Sequence, residues 1–404
     1  MFFFPVFCYH ILMKTIAIIG AGAAGMMACA TICESDLHGN IFLIDKNSDI
    51  GQKVLLTGGG RCNLTTGLTD IKEILKRYPR GAKFLKYAMY EFSPEKARKW
   101  FLDHKLRTKV EDDMRVFPAS DKSMDVISVF MKIFDKHKVK MLMSNEVLSV
   151  KKVRDGFELD LQDRKLLTVN KMILAAGGGS YEIAQSFGHT ITKLVPSLSA
   201  LKLADPMDLA GVTVKKAGLR LRYGTDKYEY EGPFVFTHSG ISGPAIFALS
   251  ALAAYADFDD KNPAKLFIDF APDLSREDVL QDIKNEISSS PKKDFANTLA
   301  KFVPKSATSK FKGKNAAVGK NEINKSVEFI KNCEFAVIGR AGGNEFVTAG
   351  GISLDEVDPK TMESKICHGL YFGGEVLDID GVTGGFNLQA AWATGRIAGV
   401  SAVN

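Results

Sequence analysis

The chain of 404 residues is 46% hydrophobic and 25% charged, a globular composition that excludes wholesale disorder and fibrous architectures. With 53 basic against 47 acidic residues the net charge is +6, too mild by itself to announce a nucleic-acid binder. No apolar run approaches the ~20 residues of a membrane span, and six scattered cysteines with no CxxC favour a reducing compartment over a disulfide framework, so a cytoplasmic protein of two or three domains is expected.

The opening stretch MFFFPVFCYHIL is apolar but lacks a basic flank and a cleavage site; residues 1–12 read as an extension, with Met13-Lys14-Thr15 as the natural start. KTIAIIG follows as a buried strand, then Gly20-Ala21-Gly22-Ala23-Ala24-Gly25, an apolar helical stretch to Cys33, and a second strand, NIFLID, ending at Asp45. Cys29 and Cys33, four apart in that stretch, read as core packing rather than metal ligands. A GxGxxG at a strand-to-helix turn within a βαβ unit is a dinucleotide fingerprint. Gly20 permits the turn, Gly22 lets backbone approach a pyrophosphate, and Gly25 lets the helix pack on the strand while its N-terminus faces the phosphates. Asp45 suits the adenosine ribose hydroxyls and disfavours a 2′-phosphate, so FAD or NAD fits better than NADP.

Residues 51–63, GQKVLLTGGGRCN, hold three consecutive glycines at 58–60, costly in backbone entropy for a plain loop. With Lys53, Arg61, Cys62 and Asn63 around them, they read as backbone laid against a flat or phosphorylated ligand, Arg61 supplying charge. Residues 80–135 are expected to be mainly helical, with a turn-rich interruption at EDDMRVFPAS. Strand-like segments follow in KVKMLM, EVLSVKKV, GFELDLQ and MILAAGG; the last delivers Ala176 and Gly177 at a strand's carboxyl end, where a ligand crossing the sheet touches backbone.

Composition shifts near Pro196. Residues 197–270 read as β-rich and 275–330 as helices, an insertion after which sheet-like pattern resumes at CEFAVIGR and NEFVTAGGI. The second dense glycine region closes the chain: a buried strand ends in Gly373-Gly374-Glu375, and Gly384-Gly385-Phe386-Asn387-Leu388 opens an Ala-rich helix containing Trp392 and Arg396. The chain end thus returns to the nucleotide domain.

GAGAAG (20–25), KVLLTGGGRCN (53–63), FTHSGISGPA (236–245), TAGGISLDEVDPKTMESK (348–365) and GLYFGGEVLDIDGVTGGFNLQAAWATG (369–395) together resemble the YhiN/BaiN-type family of NAD(P)/FAD-dependent oxidoreductases, including its aminoacetone-oxidase-like branch. The resemblance implies an α/β fold: a discontinuous Rossmann-like FAD-binding domain over 13–191 and 341–404, interrupted by a β-barrel-like unit over 192–272 and a helical unit over 273–340. It implies that the 20–25 turn with Asp45 and Lys46 holds the ADP half, and that residues 57–63 (Thr57, Gly58, Gly59, Arg61, Cys62, Asn63) lie along the ribityl chain and flavin. Glu375 would serve the ribityl or phosphate region, and Gly385 to Leu388 the pyrimidine edge. Thr57 and Phe386 stand where relatives often carry Ser and Tyr.

A flavin carries the hydride chemistry itself, which is consistent with no Ser/His/Asp triad or metal cluster being visible. The helix beginning near Gly384 would place positive dipole at the flavin N1–C2=O region. GGGSYE at 177–182 fails as a second GxGxxG, Glu182 standing at the last glycine position. Either NAD(P)H is a transient reductant without its own Rossmann site, or a small-molecule substrate reduces the flavin and dioxygen accepts; the pattern leans to the second. His238 is a candidate catalytic base or donor, or a loop histidine bonded to backbone near Pro233 or Pro244. Cys62 is a candidate redox group, its lack of a resolving partner favouring packing. Arg340, followed by Ala341-Gly342-Gly343, would bind an acidic substrate group or be solvated. The rival classes are a non-catalytic FAD sensor and an RNA-associated flavoprotein: residues 291–325 carry nine lysines against Asp294 and Glu322, though lysine-rich helical faces are usually just solvated.

Overall fold

The structure, a computed structural model, describes residues 14–35, 37, 39–341 and 347–404. The expected extension at 1–12, the start at Met13, Gly342-Gly343 and the Asn-Glu-Phe of NEFVTAGGI lie outside the described residues. The chain divides into two compact units, one ending at Leu194 and resuming at Gly350, the other running Val195–Ala349.

The first unit is built on five parallel strands. β1 (Lys14–Ile19) is central, paired on one side with β2 (Gly39–Ile44) and then Lys140–Leu142, and on the other with Lys171–Leu174 and then Leu370–Phe372. Parallel strands covered on both faces read as continuous apolar runs, and residues 16–19 of β1 are buried throughout. The helix α1 (Ala23–Cys33) is apolar all round and buried along nearly its whole length, because the 18-residue helix Phe386–Val403 packs against it. Cys29 and Cys33 are core residues there, and burial pushes the Cys29 thiol well up. The strand at Leu370–Phe372 and the closing helix therefore belong to the nucleotide sheet, joining the two ends of the sequence.

Three further helices, Ala82–Glu91, Pro94–Asp103 and Ser123–Lys136, occupy the stretch expected to be helical. Its interruption is more than a turn: Arg115–Pro118 is a strand, paired with Thr108–Val110 and with Thr65–Thr66. An antiparallel meander over Val147–Val153, Gly156–Leu161 and Leu166–Val169 completes the unit.

The second unit is a closed six-stranded barrel with helices. Alternate residues of its strands, including Leu219, Leu221, Phe234, Phe236, Leu266 and Ile268, fill the interior. The segment CEFAVIGR is a barrel strand, Cys333–Arg340, paired with Ala264–Asp269 and Leu201–Leu203. One helix inside the stretch read as β-rich, Pro244–Leu252, escapes the alternation pattern because it is apolar on every side; its Pro244 at the first turn is the usual start signal. Helices Arg276–Ser289, Phe295–Leu299 and Lys320–Lys331 follow. No described helix is long and apolar enough to cross a membrane.

Candidate functional site

The three fingerprint glycines have distinct physical reasons. Gly20 has φ +104°, and a Cβ there would stand 2.5 Å from the backbone of Ala175 and Ala176. A Cβ on Gly25 would overlap the carbonyl oxygen of Gly20, so the third glycine is demanded by helix-on-strand contact. Gly22 differs: its φ is −76°, which any residue accepts, and a Cβ there meets nothing within 4 Å. The open space beside Gly22 lies at the start of α1, whose first turn has no side-chain cap and no acidic residue. Unpartnered N–H groups and the positive end of the helix dipole face out there, with Ala23 and Ala24 in the first turn. The Asp45 carboxylate at the end of β2 accepts from Ala21 N at 2.6 Å and from Asn47 N and Nδ2, both at 2.8 Å, which anchors the turn; Lys46 is exposed beside it.

Gly51 N donates to Ala21 O at 2.8 Å and starts the short helix Gln52–Leu56, bringing the second glycine segment beside the first. Gly58, Gly59 and Gly60 all have positive φ. A Cβ at Gly58 would crowd Phe117 at 2.7 Å, whereas at Gly59 and Gly60 it would meet open space. Thr57 Oγ1 donates to Val54 O. The charge assigned to Arg61 is engaged within the protein: its guanidinium pairs with Glu111 at 2.7 Å and Asp121 at 3.3 Å and stacks 3.8 Å from the Phe117 ring centre. Cys62 is fully buried in a left-handed backbone conformation, and burial pushes its thiol up to about 12. A thiol protonated throughout the neutral range is the state of a packing residue, not a redox nucleophile. Next to it, Asn63 Oδ1 is buried with no hydrogen-bond partner among the described residues.

The C-terminal glycines close on this pair of segments. Lys53 Nζ reaches Glu375 Oε2 at 2.7 Å, joining positions 322 residues apart. Tyr181 Oη donates to Glu375 O at 3.4 Å, and a Cβ on Gly177 would stand 3.8 Å from Glu375 Oε2, so the turn after Ala176 borders the same cleft. Gly374, at φ +76°, lies so close to Ala24 that a Cβ would sit 2.7 Å from the alanine methyl. Gly384 and Gly385 take φ +121° and +86°; a Cβ on Gly385 would overlap the carbonyl of Thr65. Gly385 starts the closing helix with no side-chain cap. The Asn387 carboxamide accepts from Gly381 N and donates to Gly381 O, both at 2.8 Å, locking the loop that precedes the helix. Phe386 is buried edge-on to Tyr78, whose hydroxyl donates to Phe386 O at 2.7 Å, and Leu388, two residues on, is half-buried.

Several supporting residues carry no local sequence signal. Gln389 links Thr65 Oγ1 (2.6 Å) to Phe92 O (2.7 Å), and Trp392 Nε1 donates to Leu64 O. Arg80 and Asp380 form a bidentate ion pair with the carboxylate wholly buried. Asp378 accepts from Thr192 Oγ1 at 3.0 Å, keeps a second, buried oxygen without a partner among the described residues, and has its carboxyl raised by burial.

Two residues considered for substrate contact lie in the barrel unit. His238 occupies the two-residue turn between Asp226–Thr237 and Gly240–Ser242; it is exposed, and its imidazole makes no hydrogen bond among the described residues. The expected backbone bond near Pro233 or Pro244 is therefore absent among them. Arg340 departs from the solvated alternative. Its guanidinium donates to the carbonyls of Ala253, Ala254 and Ala256 at 2.7, 3.1 and 3.1 Å, just past Pro244–Leu252, and lies 4.5 Å from the Phe258 ring centre. Half-buried, it binds the carbonyls just after that helix rather than standing fully solvated.

Among the described residues no group of three His, Cys, Asp or Glu side chains could hold a metal ion. What the first unit presents, among the described residues, is open space beside Gly22, Gly59 and Gly60, with an uncapped helix start at one place and an unpaired amide oxygen at another. Such an arrangement suits an extended ligand carrying a diphosphate and a flat heteroaromatic ring.

The sequence profile of the HI0933-like protein Rossmann domain family matches residues 14–401. The 3-dehydro-bile acid delta(4,6)-reductase of Clostridium scindens is 29% identical over 96% of this chain and 99% of its own. The ribosomal RNA dihydrouridine synthase of Escherichia coli is 30% identical over 93% of this chain and 95% of its own. Among solved structures, the open conformation of a flavocytochrome c3 fumarate reductase superposes with a TM-score of 0.52 at 16% identity, covering 96% of this chain and 78% of that one, a likeness of fold.

Proposed function

This chain belongs to the HI0933-like Rossmann-domain family, and from that premise we propose that it is an FAD-dependent reductase that moves a hydride from NAD(P)H to a carbon–carbon double bond conjugated with a carbonyl. The observation that carries the cofactor half is the open edge at Gly22: the fold tolerates a side chain there, and what needs the glycine is a ligand against the start of α1. The unpaired Asn63 Oδ1 and the open edges at Gly59 and Gly60 support the same reading at the ring end. The direction of the reaction is supported by the two relatives, whose names describe very different substrates but the same gain of hydrogen by an unsaturated molecule. This favours a reductase over the oxidase that the absent second GxGxxG suggested.

FAD, when bound, supplies a ring that takes up and returns a hydride. The turn at Gly20, Gly22 and Gly25, the first turn of α1, and Asp45 with Lys46 would hold its ADP half. Thr57 to Asn63, Ala176-Gly177, Gly374-Glu375 and Gly384 to Leu388 would line the rest. Within that assignment Asn63 Oδ1 would accept a hydrogen bond from the bound cofactor, and Lys53 holds the Glu375 carboxylate in place. The uncapped start of Phe386–Val403 favours an electron-rich ring nearby. His238 is the candidate proton donor on chemical grounds, as an exposed imidazole with no hydrogen bond among the described residues; the reduced double bond needs one proton besides the hydride.

The deciding experiment mixes the yellow holoprotein anaerobically with NADH or NADPH, then adds a conjugated enone. Bleaching within seconds, followed by return of colour on adding enone without oxygen, is the expected result. Bleaching by amines alone, with colour restored only by dioxygen, would instead identify an oxidase. In the same apparatus His238→Ala should slow reoxidation by enone roughly 10²-fold at unchanged flavin content. An unchanged rate removes His238 from the chemistry.

A further inference from the structure

The nine lysines of residues 291–325 are not equivalent once folded. Lys293 and Lys301 are both spent on Glu286, and Lys314 pairs with Asp294 at 2.8 Å. Lys292, Lys305, Lys312, Lys320 and Lys325 have no carboxylate partner among the described residues, and Lys310 lies over the Phe329 ring, 3.6 Å from its centre. Six cations therefore remain uncompensated by ion pairs on a segment that has one other acid, Glu322.

Part of this surplus surrounds a cavity. A hollow of about 440 Å³ is lined by Lys310, Phe311, Asn321, Glu322, Lys325 and Phe329. Its walls are firm: Phe311 packs on Phe329 at 5.4 Å between ring centres and edge-on to the wholly buried Phe295 at 6.2 Å, while Lys320–Lys331 holds Asn321, Glu322 and Lys325. This hollow with aromatic rings beneath Lys310 sets the patch apart from a flat lysine face. Two ammonium groups bind phosphate, an asparagine carboxamide donates to and accepts from a base edge, and Glu322 accepts from an exocyclic amine. Aromatic and cationic groups together are the chemistry of single-stranded nucleic acid binding.

We propose that this cavity and the lysines around it form a docking site for single-stranded RNA, seating one nucleotide with its flanking phosphates on Lys310 and Lys325 and the strand continuing over Lys312 and Lys320. The site deepens the reductase reading and rests on it for its catalytic meaning: the uracil ring has a C5=C6 bond conjugated with a carbonyl, the class of bond proposed above. A substrate carried on RNA needs a foothold apart from the flavin, and this unit supplies the charge for one.

The test titrates full-length holoprotein into a labelled, uridine-containing single-stranded RNA and follows fluorescence anisotropy at several salt concentrations. Binding should weaken with salt at about 0.7 in logarithmic slope per phosphate neutralised. Lys310→Glu with Lys325→Glu should cut affinity about tenfold or more and reduce the slope by about 1.4, while flavin content and enone reduction stay unchanged. Should that double variant lose its flavin or fail to fold, Lys310→Gln with Asn321→Ala is read the same way. No binding at low salt, equal binding by the variants, or free uridine monophosphate binding as tightly as the RNA would each overturn the site. Lost RNA binding with intact enone reduction leaves the reductase reading standing; RNA binding without any flavin reduction by NAD(P)H sinks that reading and spares the site.

Discussion

Gly22→Val is expected to give a folded, colourless protein. Most substitutions in a glycine turn fail by distorting the turn, and Gly25→Ala would do so, since its Cβ would overlap Gly20 O. Position 22 is free of that difficulty: φ is −76°, ψ is −170°, and the space beyond Cα holds no protein atom within 4 Å. Valine accepts this extended geometry readily. The two added methyl groups would occupy the volume through which a diphosphate reaches the N–H groups of α1. The variant should therefore match the parent in far-UV circular dichroism while retaining less than about a tenth of its flavin, a loss of more than ~1.4 kcal/mol in cofactor binding. FAD at normal stoichiometry would show that the phosphates lie elsewhere. Loss of fold and flavin together would leave the steric argument wrong instead.

Arg80→Ala should cost about 3–5 kcal/mol of stability, because it takes a bidentate guanidinium away from the fully buried Asp380 carboxylate. Both tryptophans, Trp100 and Trp392, lie in the same unit as this pair, so urea unfolding followed by indole fluorescence reports on the right part of the chain. Replacing both partners, as Arg80→Met with Asp380→Leu, should recover much of the loss, since it removes the desolvated charge along with its counterion. A single-variant loss below about 1 kcal/mol would mean that water reaches the carboxylate and the pair does not brace the 376–385 loop.

The contrast between these two sites explains what could be read in advance. The 20–25 turn was legible because its requirements are local: a positive φ, a close approach and an open edge fall at fixed offsets along six residues. The convergence of both chain ends was legible for a related reason, since each end carries its own strand, turn and glycine-rich helix start. The ion pairs of Arg61 were not legible because its partners, Glu111 and Asp121, sit on and beyond a hairpin whose strands, Thr108–Val110 and Arg115–Pro118, are too short to show periodicity. The contacts of Arg340 were hidden likewise: nothing near it in sequence points to the carbonyls at 253–256 that it binds. Pairings such as Arg80 with Asp380 or Thr65 with Gln389 span about 300 residues and leave no local trace. Local geometry writes itself into spacing; long-range electrostatics does not.

The way the barrel unit is spliced into the chain has an evolutionary consequence. Val195–Pro196 pairs with Thr348–Ala349, so that unit begins and ends at one doorway, and on the other side Lys193 O touches Gly350. A lineage could exchange the whole intervening cassette by joining two already adjacent backbone positions, leaving the parallel strands and their glycine turns undisturbed. The parallel strands would then keep their own register and turns whatever that cassette carries.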